Sequence, residues 1–211
     1  MPFKNIIFDL GGVLLDIDYN KTVEAFRSLG VAEPEKAFSK AHQALVFRAF
    51  EKGELSPDYF LSQLQAAAPG RSSKELTKAW CALLGPMRQT KFRLLEILSA
   101  SYRLFILSNT NEIHRSVFEA HIESVYGMDR FTSLFNKIHY SHHLGMRKPD
   151  MEIFEAVIQM HGIIPEETLF IDDTKIHVKA AEQSGLKALH LSEGQDLKTL
   201  LESVGVQAEK N

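Results

Sequence analysis

Four short segments carry side chains that could do chemistry together. The first, Ile6-Ile7-Phe8-Asp9-Leu10-Gly11-Gly12, runs an apolar strand into a carboxylate and a glycine pair. Such a pattern places the acid at the carboxyl edge of an open α/β sheet, where ligands bind. The glycines permit a sharp turn and a close backbone approach. The second segment, Leu104-Phe105-Ile106-Leu107-Ser108-Asn109-Thr110-Asn111, ends in hydroxyl and amide groups beside a helix start. That set can hold an anion or cap the helix. In the third, Lys148 stands before Pro149, which is expected to open a helix and so fix where the ammonium projects. Such an ammonium can neutralise a carboxylate and a phosphate together. The fourth, Leu169-Phe170-Ile171-Asp172-Asp173, ends a strand in two adjacent carboxylates that repel unless a cation sits between them. With Asp9 they make three hard oxygen ligands suited to Mg²⁺, which would shield the charge of a phosphate under attack. Each segment alone has an ordinary reading: a turn, a cap, a surface lysine. The ordered set, three of its members at apolar strand ends, is specific.

The elements that must position these groups are legible. Asn5–Phe8, Arg103–Leu107, Lys137–Tyr140, Leu169–Ile171 and Lys187–Leu191 read as strands. Helical periodicity over Lys91–Ala100, Asn111–Val125, Asp150–His161 and Lys175–Ser184 alternates with the later ones. Alternation of this kind implies parallel strands joined by crossovers. Gly162 and Gly185 mark helix ends. Residues 19–86 break the rhythm, showing helical patterns at Tyr19–Leu29, Glu35–Phe50, Pro57–Ala68 and Ser73–Leu84 and no convincing strand. The expected fold class is α/β: a Rossmann-like three-layer parallel-sheet core (residues 1–18 and 87–211) with an inserted four-helix domain (residues 19–86).

Composition sets further limits. The 211 residues are 45% hydrophobic and 24% charged, with a formal charge of -3, which argues against a dedicated nucleic-acid surface. No apolar run approaches the roughly 20 residues of a membrane span, and the start Met1-Pro2-Phe3-Lys4-Asn5 lacks signal-peptide character. A cytoplasmic protein is expected. Cys81 is the single cysteine, so no intramolecular disulfide can form. With no activating His or cation adjacent in sequence, it reads as a core thiol.

Taken in order, the four segments resemble the motifs of the haloacid dehalogenase superfamily, and the resemblance covers nearly the whole chain. Phe8-Asp9-Leu10-Gly11-Gly12-Val13 is similar to the first motif, Leu107-Ser108-Asn109-Thr110 to the second, Lys148-Pro149 to the third and Ile171-Asp172-Asp173 to the fourth. The helical insertion matches the small cap that lies between motifs one and two. Asp9 through Asp18 and Leu144-Gly145-Met146-Arg147-Lys148-Pro149 look like the bacterial branch of α-glucose-1-phosphate phosphatases. The resemblance implies a Mg²⁺-dependent phosphomonoesterase acting on a small phosphorylated metabolite, a sugar phosphate being favoured. Asp9 would be the nucleophile that forms an aspartyl-phosphate. Ser108, Asn109 and Lys148 would hold the phosphoryl oxygens. Asp9, the Gly11 carbonyl, Asp173 and Asp172 would organise the metal, with Asp173 the more direct ligand of the pair. Phosphatases of the superfamily usually carry a second Asp, the general acid and base, where this chain has Gly11; Asp16, Asp18 or metal-held water are the candidate substitutes. The alternatives are a metal-independent 2-haloacid dehalogenase, against which the tandem Asp172-Asp173 argues, and a non-catalytic regulatory protein that keeps the fold.

Other residues attract simpler readings. His139, His142 and His143 flank a strand end and are expected to point apart, against a metal role. His114 reads as an ordinary exposed helix residue, and Phe47, Phe50 and Trp80 as core of the helical insertion. Arg48 is the insertion's first candidate for a substrate contact.

Overall fold

The computed structural model describes residues 3–34 and 43–208. The first part of the helix expected over Glu35–Phe50, residues 35–42, lies outside the described residues. Five strands form one parallel sheet: β1 (Asn5–Phe8), β4 (Arg103–Ser108), β5 (Lys137–Tyr140), β6 (Thr168–Asp172) and β7 (Lys187–His190), in the order β5-β4-β1-β6-β7. Parallel pairing of successive strands requires crossover connections, and here they are helical. The chain leaves β1 towards β4 on one side and later returns to β6 on the other. β1 is therefore flanked on both sides at the point where the strand order reverses, the usual place for a ligand in an open sheet.

Alternation along the strands divides the core into two faces. Ile6, Phe8, Leu104, Ile106, Leu169 and Ile171 pack with Phe92 and Leu95 of α5 (Gln89–Leu98) and Phe118 and Ile122 of α6 (Glu112–Tyr126). Ile7, Phe105, Leu107 and Phe170 pack on the opposite face with Phe154 and Val157 of α9 (Met151–His161) and Ala181 of α10 (Lys175–Gln183). Both faces are covered, so the strands read as unbroken apolar runs. Each fully buried Phe or Ile contributes roughly 1.5–3 kcal/mol. Two short helices, α7 (Met128–Thr132) and α8 (Ser141–Leu144), flank β5, and α11 (Leu197–Glu202) closes the first face.

Between β1 and the rest of this core lie, among the described residues, α1 (Tyr19–Ser28), α2 (Gln43–Glu51), α3 (Pro57–Ala67) and α4 (Ser73–Trp80). Their apolar faces meet in a separate cluster of Phe26, Phe50, Phe60, Leu64, Leu76 and Ala79, with Phe50 and Phe60 stacked at 4.1 Å. Ser56 caps α3 with Pro57 at its first position, as the sequence indicates. Ser72 and Glu75 close a reciprocal capping box on α4.

Three expectations need correction. Leu84–Met87 is a strand (β3), antiparallel to β2 (Leu15–Ile17), so residues 19–86 are not free of strand. Gly85 and Pro86 hide it, because both residues are depleted from strands. The ribbon needs the glycine, since a Cβ there would lie 2.8 Å from the Asp16 carbonyl oxygen. The helix expected to run to Leu84 stops at Trp80 and continues as one 3₁₀ turn over Cys81–Leu83. Pro149 does not open α9 either; Asp150 is its N-cap, and Pro149 lies in the turn before it. Among the described residues, no helix is long and apolar enough to cross a membrane.

Candidate active site

Asp9 follows β1 directly, and its N–H donates to the Ile171 carbonyl at 2.8 Å, continuing the ladder with β6. Asp172 ends β6 on one side of it and Ser108 ends β4 on the other. Between the two carboxylates lies Lys148, fully buried, its Nζ 2.7 Å from Asp9 Oδ1 and 2.6 Å from Asp172 Oδ2. A lysine here has no strand to place it. Asn109 does that work: its amide nitrogen donates to the Lys148 carbonyl at 2.8 Å, and its amide oxygen accepts the Lys148 N–H at 2.9 Å. The Asn109 side chain thus positions Lys148, and its second amide N–H and its backbone remain for an anion.

The electrostatics follow from burial and from an excess of carboxylates. Burial foremost, reinforced by Asp172 and Asp173 and opposed by Lys148, pushes the Asp9 carboxyl up to about 7. Burial works the same way on Asp172, yet Lys148 and His177 outweigh it and hold this acid well below the carboxylate range. Burial would lower Lys148, but Asp172 and Asp9 keep its pKa above the ordinary lysine value, so it is a permanent cation. Asp173 is raised by burial and by Asp172. One ammonium cannot satisfy three acids, and the surplus negative charge calls for a further cation.

The donors fit a hard divalent ion. Oxygens of Asp9, Asp172 and Asp173 lie within 4.8 Å of one another. Asp172 is the more occupied: Lys148 holds Oδ2, the Thr174 N–H donates to Oδ1, and the His177 ring nitrogen Nδ1 lies 3.1 Å from both oxygens. Asp173 makes a side-chain bond with the Thr174 hydroxyl at 3.1 Å and lines the cavity. Gly12, at φ 78°, makes room for it; a Cβ there would stand 2.1 Å from Asp173 Oδ2.

A cavity of about 450 Å³ opens over Asp9 between the sheet edge and the four-helix cluster. Ser108, Asn109, Gly11 and Asp173 line its floor, and Phe47, Trp80 and Glu51 come from the helices. The two readings of the second segment apply to different residues: Ser108 faces the cavity, while Asn111 caps α6 by accepting the His114 N–H at 3.0 Å. Lysine and carboxylates converge as the sequence implied. Asp16 and Asp18 do not join them. Asp16 pairs with Arg88 at 2.7 Å and Lys91 at 3.5 Å, and Asp18 caps α1, so neither lines this cavity. Arg48 is exposed and outside the cavity as well.

His114 is buried and not exposed, stacked on Trp80 at 4.9 Å with Nε2 3.2 Å from the Trp80 carbonyl oxygen; burial holds its pKa down at about 4. Helix α6 turns this face towards the insertion, which no local pattern reveals. Phe47 and Trp80 do pack in the cluster, at 5.1 Å from each other, and also wall the cavity. Of the three histidines expected to point apart, His139 does so and the other two do not. His139 turns to His161 at 2.7 Å, but His142 and His143 lie on one helical turn, rings 4.2 Å apart, both directed at Glu112. The helical turn that follows β5 brings them side by side. Burial raises the Cys81 thiol to about 12, in keeping with a packing role.

Sequence reasoning missed three contributors. Arg147 donates to Glu51 across the cavity at 2.9 Å, joining the motif-three loop to α2. Its position beside Lys148 was the available signal. Tyr19, at the start of α1, is largely exposed and stands at the edge of the cavity. His177 sits on α10 five residues after Asp172, a spacing that returns it to the strand end.

The family model for haloacid dehalogenase-like hydrolases matches residues 3–185. The chain belongs to this family. It is 35% identical over 194 residues to the D-ribitol-5-phosphate phosphatase of Bacteroides thetaiotaomicron, covering 92% of this chain and 94% of that one. A sesquiterpene phosphatase of Aspergillus oryzae is 31% identical over 193 residues, covering 90% and 91%. A haloacid-dehalogenase-family enzyme of B. thetaiotaomicron, solved with magnesium and inorganic phosphate, superposes with a TM-score of 0.84 at 32% identity over 94% of this chain and 98% of that one. A dehalogenase at 16% identity and a TM-score of 0.61 shares the fold. The chain is a Mg²⁺-dependent phosphatase of small phosphorylated metabolites within the haloacid dehalogenase-like family.

Proposed function

We propose that Asp9 is the nucleophile of this phosphatase and that Ser108, Lys148 and the backbone at Asn109 receive the phosphoryl group. Lys148 is the observation that carries the reading: a fully buried cation holds Asp9 by Oδ1 and leaves Oδ2 for the phosphorus. Attack by Oδ2 forms the P–O bond as the ester oxygen leaves, giving an aspartyl-phosphate, and water then cleaves that mixed anhydride to restore the carboxylate. Asp9, Asp173, the Gly11 carbonyl and, less directly, Asp172 would hold Mg²⁺, which when bound neutralises phosphoryl charge. Residues 19–86 act as a cap over a core of residues 1–18 and 87–211, excluding water and selecting the leaving group.

Because residue 11 is glycine, no carboxylate stands two residues after Asp9 to protonate the leaving group. This favours esters whose alcohol leaves readily, such as an anomeric sugar phosphate. The cavity supports a polyol or sugar moiety: Glu51 and Arg147 offer polar contacts, and the indole N–H of Trp80 is buried without a hydrogen-bond partner among the described residues. The phosphatase relative that acts on D-ribitol 5-phosphate, the ester of a primary alcohol, is in keeping with the polyol moiety and not with the leaving-group preference. A second reading, the phosphate of an apolar alcohol, is favoured by the wall of Ile17, Val23, Leu83 and Leu84. The reducing cytoplasm is the proposed setting, in accord with the lone half-buried thiol.

The test is phosphate release from sugar, polyol, prenyl and aryl phosphates with and without Mg²⁺. Asp9→Asn should remove turnover while keeping the fold, and EDTA should suppress activity that Mg²⁺ restores and Ca²⁺ supports poorly. Substantial turnover by Asp9→Asn, or halide release from a 2-haloacid without metal, would overturn the assignment.

A further inference from the structure

We propose that His142, His143 and Glu112 form a second metal site, separate from the acidic one and selective for a borderline transition ion, Zn²⁺ above all. His142 and His143 come from α8, and Glu112 from the first turn of α6. Their ligating atoms lie within 4.8 Å of one another, with His142 Nε2 3.3 Å and His143 Nε2 4.0 Å from Glu112 Oε2. Two imidazoles and one carboxylate are a ligand set for Zn²⁺ and not for Mg²⁺, which prefers oxygen.

The second observation is His142 itself. Its side chain is only 6% exposed, yet neither ring nitrogen has an aligned hydrogen-bond partner among the described residues. A buried imidazole whose nitrogens lack aligned hydrogen bonds is costly, even beside a carboxylate. Here the ring nitrogen approaches the carboxylate without the alignment of a hydrogen bond, the arrangement of two donors facing a common point. Arg115 grips both oxygens of Glu112, at 2.6 and 2.9 Å, and orients the carboxylate. The guanidinium is in turn paired with Glu119, so its charge is offset and does not bar a cation. The site also adjoins the insertion: a Cβ on Gly53, in the loop after α2, would lie 2.3 Å from the His142 carbonyl oxygen. A metal bound to α6 and α8 would therefore brace the ground on which that loop rests.

The experiment is equilibrium dialysis of the full chain against Zn²⁺, and separately Co²⁺, in millimolar Mg²⁺, with elemental analysis and visible absorption. One equivalent should bind beyond the Mg²⁺ site, and Co²⁺ should give the visible bands of a low-coordinate nitrogen–oxygen site. His143→Ala, at a half-exposed position whose loss leaves the fold intact, should weaken binding at least about 100-fold, beyond the effect of losing an outer-sphere partner. His142→Ala should do the same, and Asp173→Asn should leave this binding unchanged. No binding by the unaltered protein, equal binding by His143→Ala, or loss in Asp173→Asn would each overturn the proposal.

Discussion

Asn109→Ala separates two roles that the second motif could play. In the structure the Asn109 amide closes two hydrogen bonds on the backbone of Lys148, at 2.8 and 2.9 Å, and this pair fixes where the buried ammonium enters between Asp9 and Asp172. Truncation removes both. Each bond contributes about 0.5–1.5 kcal/mol net, and a buried group left unsatisfied costs about 1–3 kcal/mol. Water admitted from the adjoining cavity would recover part of this, so the expected loss is about 2–4 kcal/mol. Asp9 and Asp172 would lose the fixed cation between them, and a misplacement near 1 Å costs on the order of 100-fold in rate. The assay pairs urea unfolding in phosphate-free buffer with kcat, KM and the inhibition constant for inorganic phosphate. A clamp predicts lower stability and lower kcat with a modest change in phosphate affinity. If the variant unfolds at the same urea concentration as the parent and loses only phosphate affinity, the side chain binds phosphate directly and does not clamp Lys148.

Gly11→Asp would install the missing acid. Its added Cβ would lie 3.3 Å from Ile17 Cγ1, a contact a side chain can relieve, and the dependence of kcat/KM on leaving-group pKa should flatten; an already flat dependence in the unaltered enzyme would show that another acid serves. Gly12→Ala puts a methyl 2.1 Å from Asp173 Oδ2 at a φ of 78°, so the Mg²⁺ concentration for half-maximal activity should rise at least tenfold, about 1.4 kcal/mol; unchanged activation would remove Asp173 from the metal. His139, buried against His161, has its pKa held at about 4 by burial first, then by His161 and Lys137, against 6.5 for the free group. Between these values the unfolded chain binds more protons, so stability rises with pH and is lost as pH falls from about 6.5 towards 4, by at most roughly 3 kcal/mol. His139→Asn should reduce that slope in unfolding midpoints taken across the window, and an unchanged slope would exclude this pair as its source.

Residue types alone determined the sheet and the candidate residues at its edge. Unbroken apolar runs such as Ile6–Phe8 and Leu169–Ile171 must be buried on both faces, which makes them parallel strands, and an Asp after each must then emerge at one edge. That logic is local and periodic, so Asp9, Ser108, Asp172 and Asp173 were legible before any coordinates. The pairing of Leu15–Ile17 with Leu84–Met87 was not, because a Gly-Pro strand exists only through its partner 72 residues away at Met87 from Leu15. Nor was the division of labour within the site. Whether an amide meets phosphate or a lysine backbone, whether a histidine is exposed or stacked on Trp80, and whether Arg147 finds Glu51 depend on how α2, α4 and α6 come to face the sheet edge. Those are contacts between segments far apart in sequence. Their directions are set by packing, which no periodicity encodes, and the chemistry of the cavity wall was decided there.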